Sequence, residues 1–208
     1  MDNDPHESGD RDLRVCFVGD SYVAGAGDES GVGWVGRLTR HAYAHGFPIT
    51  AYNLGIRGNT SQDVADRLPG EVGRRANQTA ETRVVLAYGL NDVVLNGSQP
   101  RVRIADSLAA TERTLDWLAS VRVPALFVGP PPIGDADQDA RAAKLDRQLA
   151  VCAGSRRVPY IQVMGHLATD RAWLDGVRDG DGAHPGSSGY DRYFEVVRDP
   201  LMRFLAAG

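Results

Sequence analysis

Four short runs in this chain of 208 residues have the residue types and spacing of a reaction centre. Near the C-terminus, Asp181-Gly182-Ala183-His184-Pro185 sets a carboxylate and an imidazole three residues apart. One tight turn can then let Asp181 hold the ring through Nδ1 while Nε2 faces outward as a base. Pro185 biases His184 toward an extended backbone and ends that turn. Near the N-terminus, Gly19-Asp20-Ser21-Tyr22 closes an apolar run, so the Ser21 hydroxyl can be presented among backbone N–H groups where a strand gives way to a loop. Gly58, in Asn53-Leu54-Gly55-Ile56-Arg57-Gly58-Asn59-Thr60, can expose a backbone N–H, and Asn91, in Gly89-Leu90-Asn91-Asp92, offers a side-chain amide. Nucleophile, base, orienting carboxylate and donors for a developing oxyanion are the parts of acyl transfer. Each run alone has a plainer reading, as a serine bonded locally in a turn, an Asn cap, or polar loop residues. Their coincidence favours the chemical reading.

Competing chemistries fit less well. A dinucleotide fingerprint needs G-x-G-x-x-G at the turn after a strand, and the spacing from Gly19 to Gly25 is wrong. Of the 23 basic residues all but Lys144 are Arg, so a phosphate loop or a Schiff base would have to use that one lysine, which is far from the glycines that follow Ser21. His166 is the rival base, with no carboxylate at comparable spacing before Asp170. His6 falls in the N-terminal tail, and His41 and His45, four apart on a helical pattern, read as a solvated face. A metal hydrolase built from His166, Asp170 and His184 lacks metal-ligand spacing on any one element. Cys16 and Cys152 sit in apolar runs and read as small buried hydrophobes. No metal or cofactor is expected. A net charge of -4 with dispersed arginines argues against nucleic acid as a partner. Without a membrane-length apolar stretch or a basic, then apolar, leader, neither membrane insertion nor export is expected, and the chain reads as cytoplasmic.

These runs need a frame that gathers them. Residues 1–12 lack apolar periodicity and read as a mobile tail, leaving 13–208 as one domain. Apolar runs at 13–18, 49–54, 82–88, 123–128 and 158–163 read as strands. Between them lie helical patterns: Val35, Leu38 and Ala42; Val64 and Leu68 behind a Thr60 cap; Ile104, Leu108, Thr111, Leu115 and Leu118; Ala142, Leu145, Leu149 and Cys152. Pro69 and Gly70 are expected to break the second of these. A last helix carries Tyr190, Phe194 and Val197, and Asp199-Pro200 is expected to restart a short terminal one. Five strands alternating with helices predict an α/β fold, a five-stranded parallel sheet covered on both faces. Ligands in such sheets bind at the carboxyl ends of the strands, where the loops after strands one, two, three and five place the four runs. Glycine is over-represented, 24 against about 15 for average usage, and it gathers at those same strand ends.

With all four runs in order over residues 13 to about 200, the sequence resembles the SGNH hydrolases, the family of GDSL-type esterases and lipases. The resemblance implies a flavodoxin-like three-layer α/β/α sandwich. It also implies Ser21 as nucleophile, His184 as base and Asp181 as its orienting partner. The oxyanion hole would be the Ser21 N–H, the Gly58 N–H and the Asn91 side chain. Tyr22 departs from the Leu of the family name and adjoins the nucleophile, so substrate shape can differ and lipid specificity is not implied. The expected activity is hydrolysis of small carboxylic esters through an acyl-enzyme. Thioesterase, carbohydrate deacetylase and acyltransferase activities are open on the same site, and a non-catalytic ligand-binding module is the alternative of another class. Tyr22, Leu90, Val93, Pro131 and Ile133 are the candidate pocket walls, and no lid-like insertion separates the runs. Oligomeric state is left open.

Overall fold

Six of the seven residues of Leu13–Gly19, strand β1, are buried, and the strand is paired in parallel on both sides. An unbroken apolar run is what a central parallel strand covered on both faces requires. The computed structural model describes residues 11–76 and 80–207. After β1 come α1 (Ser21–Ala24), α2 (Gly33–Ala44), β2 (Thr50–Gly55), α3 (Ser61–Gly73) and β3 (Glu81–Ala87). Next are α4 (Leu90–Val93), a two-stranded hairpin of β4 (Leu95–Asn96) and β5 (Gln99–Pro100), α5 (Ile104–Ser120) and β6 (Ala125–Val128). The chain closes with α6 (Ala136–Ser155), β7 (Tyr160–Ile161), α7 (Met164–Leu167), α8 (Arg171–Asp179) and α9 (Ser187–Ala206).

The main sheet has the order β2-β1-β3-β6-β7, all parallel. Leaving the hairpin aside, this is the 2-1-3-4-5 order of flavodoxin-like sheets, whose ligand crevice opens at the carboxyl ends of the first and third strands. Helix α9 packs against both α2 and α8, and α5 packs against both α3 and α6 in a second group. Aromatic rings join the first group to the sheet. Phe17 meets Trp34 edge to face at 5.5 Å, and Trp34 and Trp173 each lie against Tyr193, at 5.5 and 5.6 Å.

Several expectations are corrected. Pro69 does not break its helix: α3 runs to Gly73 with the proline inside. Pro200 likewise lies within α9, which continues from Ser187 to Ala206 without restarting. In both cases a buried stripe crosses the proline, Val64, Leu68 and Val72 in α3 and Tyr193, Val197, Leu201 and Leu205 in α9. Tertiary packing of that stripe outweighs the one hydrogen bond each proline removes. The strand expected over 158–163 shrinks to Tyr160–Ile161, where its ladder to β6 is two residue pairs long. The acid–base run does not follow the last strand directly. Helices α7 and α8 intervene, and the run lies between α8 and α9. The expected tail falls outside the described residues except at its end. There Arg11 holds Glu81 through two bonds of 2.6 and 2.7 Å, and the Asp12 carbonyl accepts the Glu81 N–H at 2.9 Å. Among the described residues no helix is long and apolar enough to cross a membrane.

Candidate active site

Strand β1 ends at Gly19, and Asp20 turns the chain by capping α1. Its carboxylate accepts the Tyr22 N–H at 3.0 Å, and its carbonyl accepts that of Ala24 at 3.1 Å. Ser21 is therefore the first residue of a short helix standing on the end of a central strand. The Asp20 carboxyl is itself buried, and burial, reinforced by nearby Asp92 against the bond from the Tyr22 amide, pushes its pKa up to about 7.

Asp181 organises the opposite wall. One carboxylate oxygen accepts the backbone N–H groups of Ala183 at 3.0 Å and His184 at 2.8 Å, closing the predicted turn. The other lies 2.7 Å from His184 Nδ1. Burial works against the Asp181 charge, but the bonds from the His184 ring and the two amides outweigh it and hold the carboxyl at about 2. An ionised Asp181 is acceptor only, so the Nδ1 proton is assigned to the ring and Nε2 is left as acceptor. Nε2 lies 2.7 Å from Ser21 Oγ, and both residues are buried. Gly27, at φ +82°, backs the imidazole so closely that a Cβ there would lie 2.7 Å from the His184 Cβ.

The two expected donors meet Ser21 across the cleft. Gly58 lines it at φ +78°, with open space where a Cβ would stand, so glycine is required there by backbone conformation rather than by crowding. Arg101 donates to the Gly58 carbonyl at 3.0 Å, while Arg67 bridges the Asn59 side chain at 2.7 Å and the Gly19 carbonyl at 2.8 Å. The Asn91 amide donates to the Asn59 carbonyl at 3.0 Å and makes a longer contact of 3.4 Å with Asp20. Beneath it Asp92, fully buried, accepts the Ser61 N–H at 2.8 Å and so ties the start of α3 to α4.

The resulting cleft is about 380 Å³, and Ser21, Gly58, Asn91 and His184 all line it. Of the expected walls, Tyr22 and Leu90 are present. Val93, Pro131 and Ile133 are not. Val93 and Pro131 are buried, and Ile133 borders a separate hollow with Leu174 and Arg178. Arg57, Val94, Gln138 and Ala183 complete the lining. Gln138 arrives from the first turn of α6, a long-range approach that leaves no local signal in sequence. The other described histidines stand elsewhere; His6 lies outside the described residues. His41 and His45 lie ring to ring at 4.0 Å on and just after α2, and His166 is exposed on α7. Asp170 caps α8 through the Trp173 N–H at 3.0 Å and holds Arg192 at 2.7 Å. Among the described residues no three His, Cys, Asp or Glu side chains gather as a metal-binding group. Both cysteines are buried and unpaired, and burial pushes the Cys16 thiol up to about 11.

Solved structures share this frame. A lipase/acylhydrolase from Enterococcus faecalis superposes with a TM-score of 0.74 at 21% identity, over 91% of this chain and 95% of that one. The structure of TesA gives 0.73 at 20% identity, over 92% and 99%. An acetyl xylan esterase from Geobacillus stearothermophilus gives 0.70 at 17% identity, over 93% and 94%. At such identities the likeness is one of fold. No curated protein matches the chain. The sequence itself matches the model of the GDSL-like Lipase/Acylhydrolase family over residues 17–192, a span that holds Ser21, Gly58, Asn91, Asp181 and His184. The chain is a hydrolase and belongs to that family.

Proposed function

We propose that the protein is a serine esterase acting on small carboxylic esters by two-step acyl transfer. One observation carries the proposal: the unbroken hydrogen-bonded path from Ser21 Oγ through His184 to Asp181, 2.7 Å at each link. As Ser21 Oγ attacks the ester carbonyl, its proton passes to His184 Nε2. The new C–O bond converts the carbonyl into an oxyanion, with the backbone N–H groups of Ser21 and Gly58 and the Asn91 amide as its donors. The 3.4 Å contact from Asn91 to Asp20 is the one given up to make that bond. Collapse expels the alcohol, which takes the proton from His184 and leaves an acyl-Ser21. Water, deprotonated by the same nitrogen, attacks the acyl-enzyme and releases the acid.

Labelling with a fluorophosphonate tests the nucleophile, and a panel of p-nitrophenyl esters of rising acyl length tests the reaction. Stoichiometric modification at Ser21 is expected. So is loss of turnover in Ser21→Ala, whose hydrolysis of p-nitrophenyl acetate at the wild-type rate would overturn the assignment. Asn91→Ala should lower kcat by about 10²- to 10³-fold with little change in the urea midpoint. Because one similar structure is an acetyl xylan esterase, the panel includes an acetylated carbohydrate, beside an acyl thioester and an acceptor alcohol.

A further inference from the structure

We propose that Tyr22 is a positioning residue, a brace that sets the acid–base loop from the nucleophile's own helix; this rests on the acyl-transfer reading of the site. Tyr22 follows Ser21 in α1, and its phenol donates a short hydrogen bond to the carbonyl of Ala183, the residue before His184. Its ring lies 5.3 Å from the imidazole of His184, tilted by 44°. Tyr22 also stacks on Trp173 of α8 at 6.0 Å and 21°. Trp173 is buried and fixed by its indole N–H, which donates to the Pro132 carbonyl at 2.8 Å. The phenol ring is thus 3% exposed and held by α8 as well as by the loop it touches.

The brace does something the Asp181 turn cannot. The bonds of Asp181 to the Ala183 and His184 amides and to Nδ1 are all within four residues, and they orient the imidazole relative to its own loop. They do not fix that loop relative to Ser21, 163 positions away. A bond from residue 22 to residue 183 does, because each end is covalently next to a reacting side chain. Burial holds the Tyr22 hydroxyl far above its ordinary pKa, so it remains a donor at any working pH. The Leu of the family name could fill part of this space, but it could not donate to Ala183. A misplacement of about 1 Å between reacting groups costs on the order of 100-fold in rate, so loosening the loop by a fraction of that distance should be visible in kcat.

Tyr22→Phe keeps the ring and its stack and removes the donor. Five quantities are compared with wild type: kcat and KM on p-nitrophenyl acetate, the pH profile of kcat/KM, the thermal midpoint, and the low-field proton resonance of the His184–Asp181 bond. Expected are a fall in kcat of about tenfold, a KM within about twofold, an acid limb that moves, and a broadened or lost low-field resonance. Replacing Tyr22 by 4-aminophenylalanine, which returns a donor to the same place, should bring kcat back to within about threefold of wild type. A Tyr22→Phe protein with wild-type kcat and resonance overturns the proposal, as does a loss explained wholly by a lowered folded fraction. If Tyr22→Phe does not fold, Trp173→Phe, which frees the far side of the ring, is read by the same measurements and the same criteria. A wild-type protein inert toward esters would count against the acyl-transfer reading, and the resonance would then decide on the brace alone.

Discussion

The imidazole of His184 faces Ser21 with its accepting nitrogen because the other nitrogen is committed to Asp181. Asp181→Asn keeps the shape of that partner but can turn an amide N–H toward Nδ1, favouring the tautomer that cannot receive the Ser21 proton. A fall in kcat of up to about 10⁴-fold is expected, with native circular dichroism, and steady-state kinetics on p-nitrophenyl acetate measures it. The low pKa of Asp181 keeps it ionised well into acid, so the wild type should not lose this orientation until the pH nears 2. At this scale the sequence was most readable where chemistry is local. Asp181 and His184 are three residues apart, and a single turn satisfies both. Tyr22 shows where such reading stops. Its identity was visible beside Ser21, but its bond to Ala183 exists only once two ends of the chain are folded together. Arg57, Val94 and Gln138 reach the cleft from three separate segments and carried no signal for the same reason.

Among the elements, the central strands are the most readable. The apolar runs of β1 and β3 announce central strands, and the Thr60 cap is a full capping box with Asp63. Each proline reads locally as a helix break, and in both helices a buried stripe overrides that local rule. Pro200 in α9 removes the N–H that would bond the Val196 carbonyl one turn back, yet Val197, Leu201 and Leu205 carry the helix through. Pro200→Ala should therefore stabilise the fold by roughly 1–3 kcal/mol, read as a raised urea midpoint with an unchanged slope. An unchanged or lowered midpoint would mean that the proline's restriction of the unfolded chain outweighs the missing bond. Helix α8 leaves little signal in the sequence because its buried contribution is small, Trp173 and Val177 on nine residues. It nevertheless stands behind the acid–base loop, and its first buried residue is the one on which Tyr22 stacks.

At the scale of the molecule, the sheet order brings the ends of β1 and β3 together, and a separate set of polar ties closes the fold around them. Asp28, its side chain fully enclosed, accepts the Ser30 and Gly33 N–H groups at 2.9 and 2.7 Å and pairs with Arg37. Arg37 in turn reaches Ser187 and Asp191 of α9. Burial opposes the Asp28 charge, but the bonds from Ser30, Arg37 and Gly33 outweigh it and hold the carboxyl well below the usual range. A carboxylate whose folded pKa is depressed adds stability above its unfolded pKa near 4, and that stability is lost as the pH falls further. Asp28→Asn should thus cost roughly 3–5 kcal/mol at pH 7, and the gap to wild type should narrow on acidification below about pH 4. Urea titrations at several pH values check both statements. The same architecture separates the two ends of the sheet's strands. Arg11 donates to Glu81 and, at 3.3 Å, to the Ala207 carbonyl, and Arg83 reaches the Phe204 and Ala207 carbonyls, so residues 11 and 207 meet where β1 and β3 begin. Ser21 lies past the other end of β1. A tether joined to either of these residues leaves from the side away from the cleft, so a protein anchored that way to a solid support would turn Ser21 toward the solution and keep bulky, immobile esters within its reach.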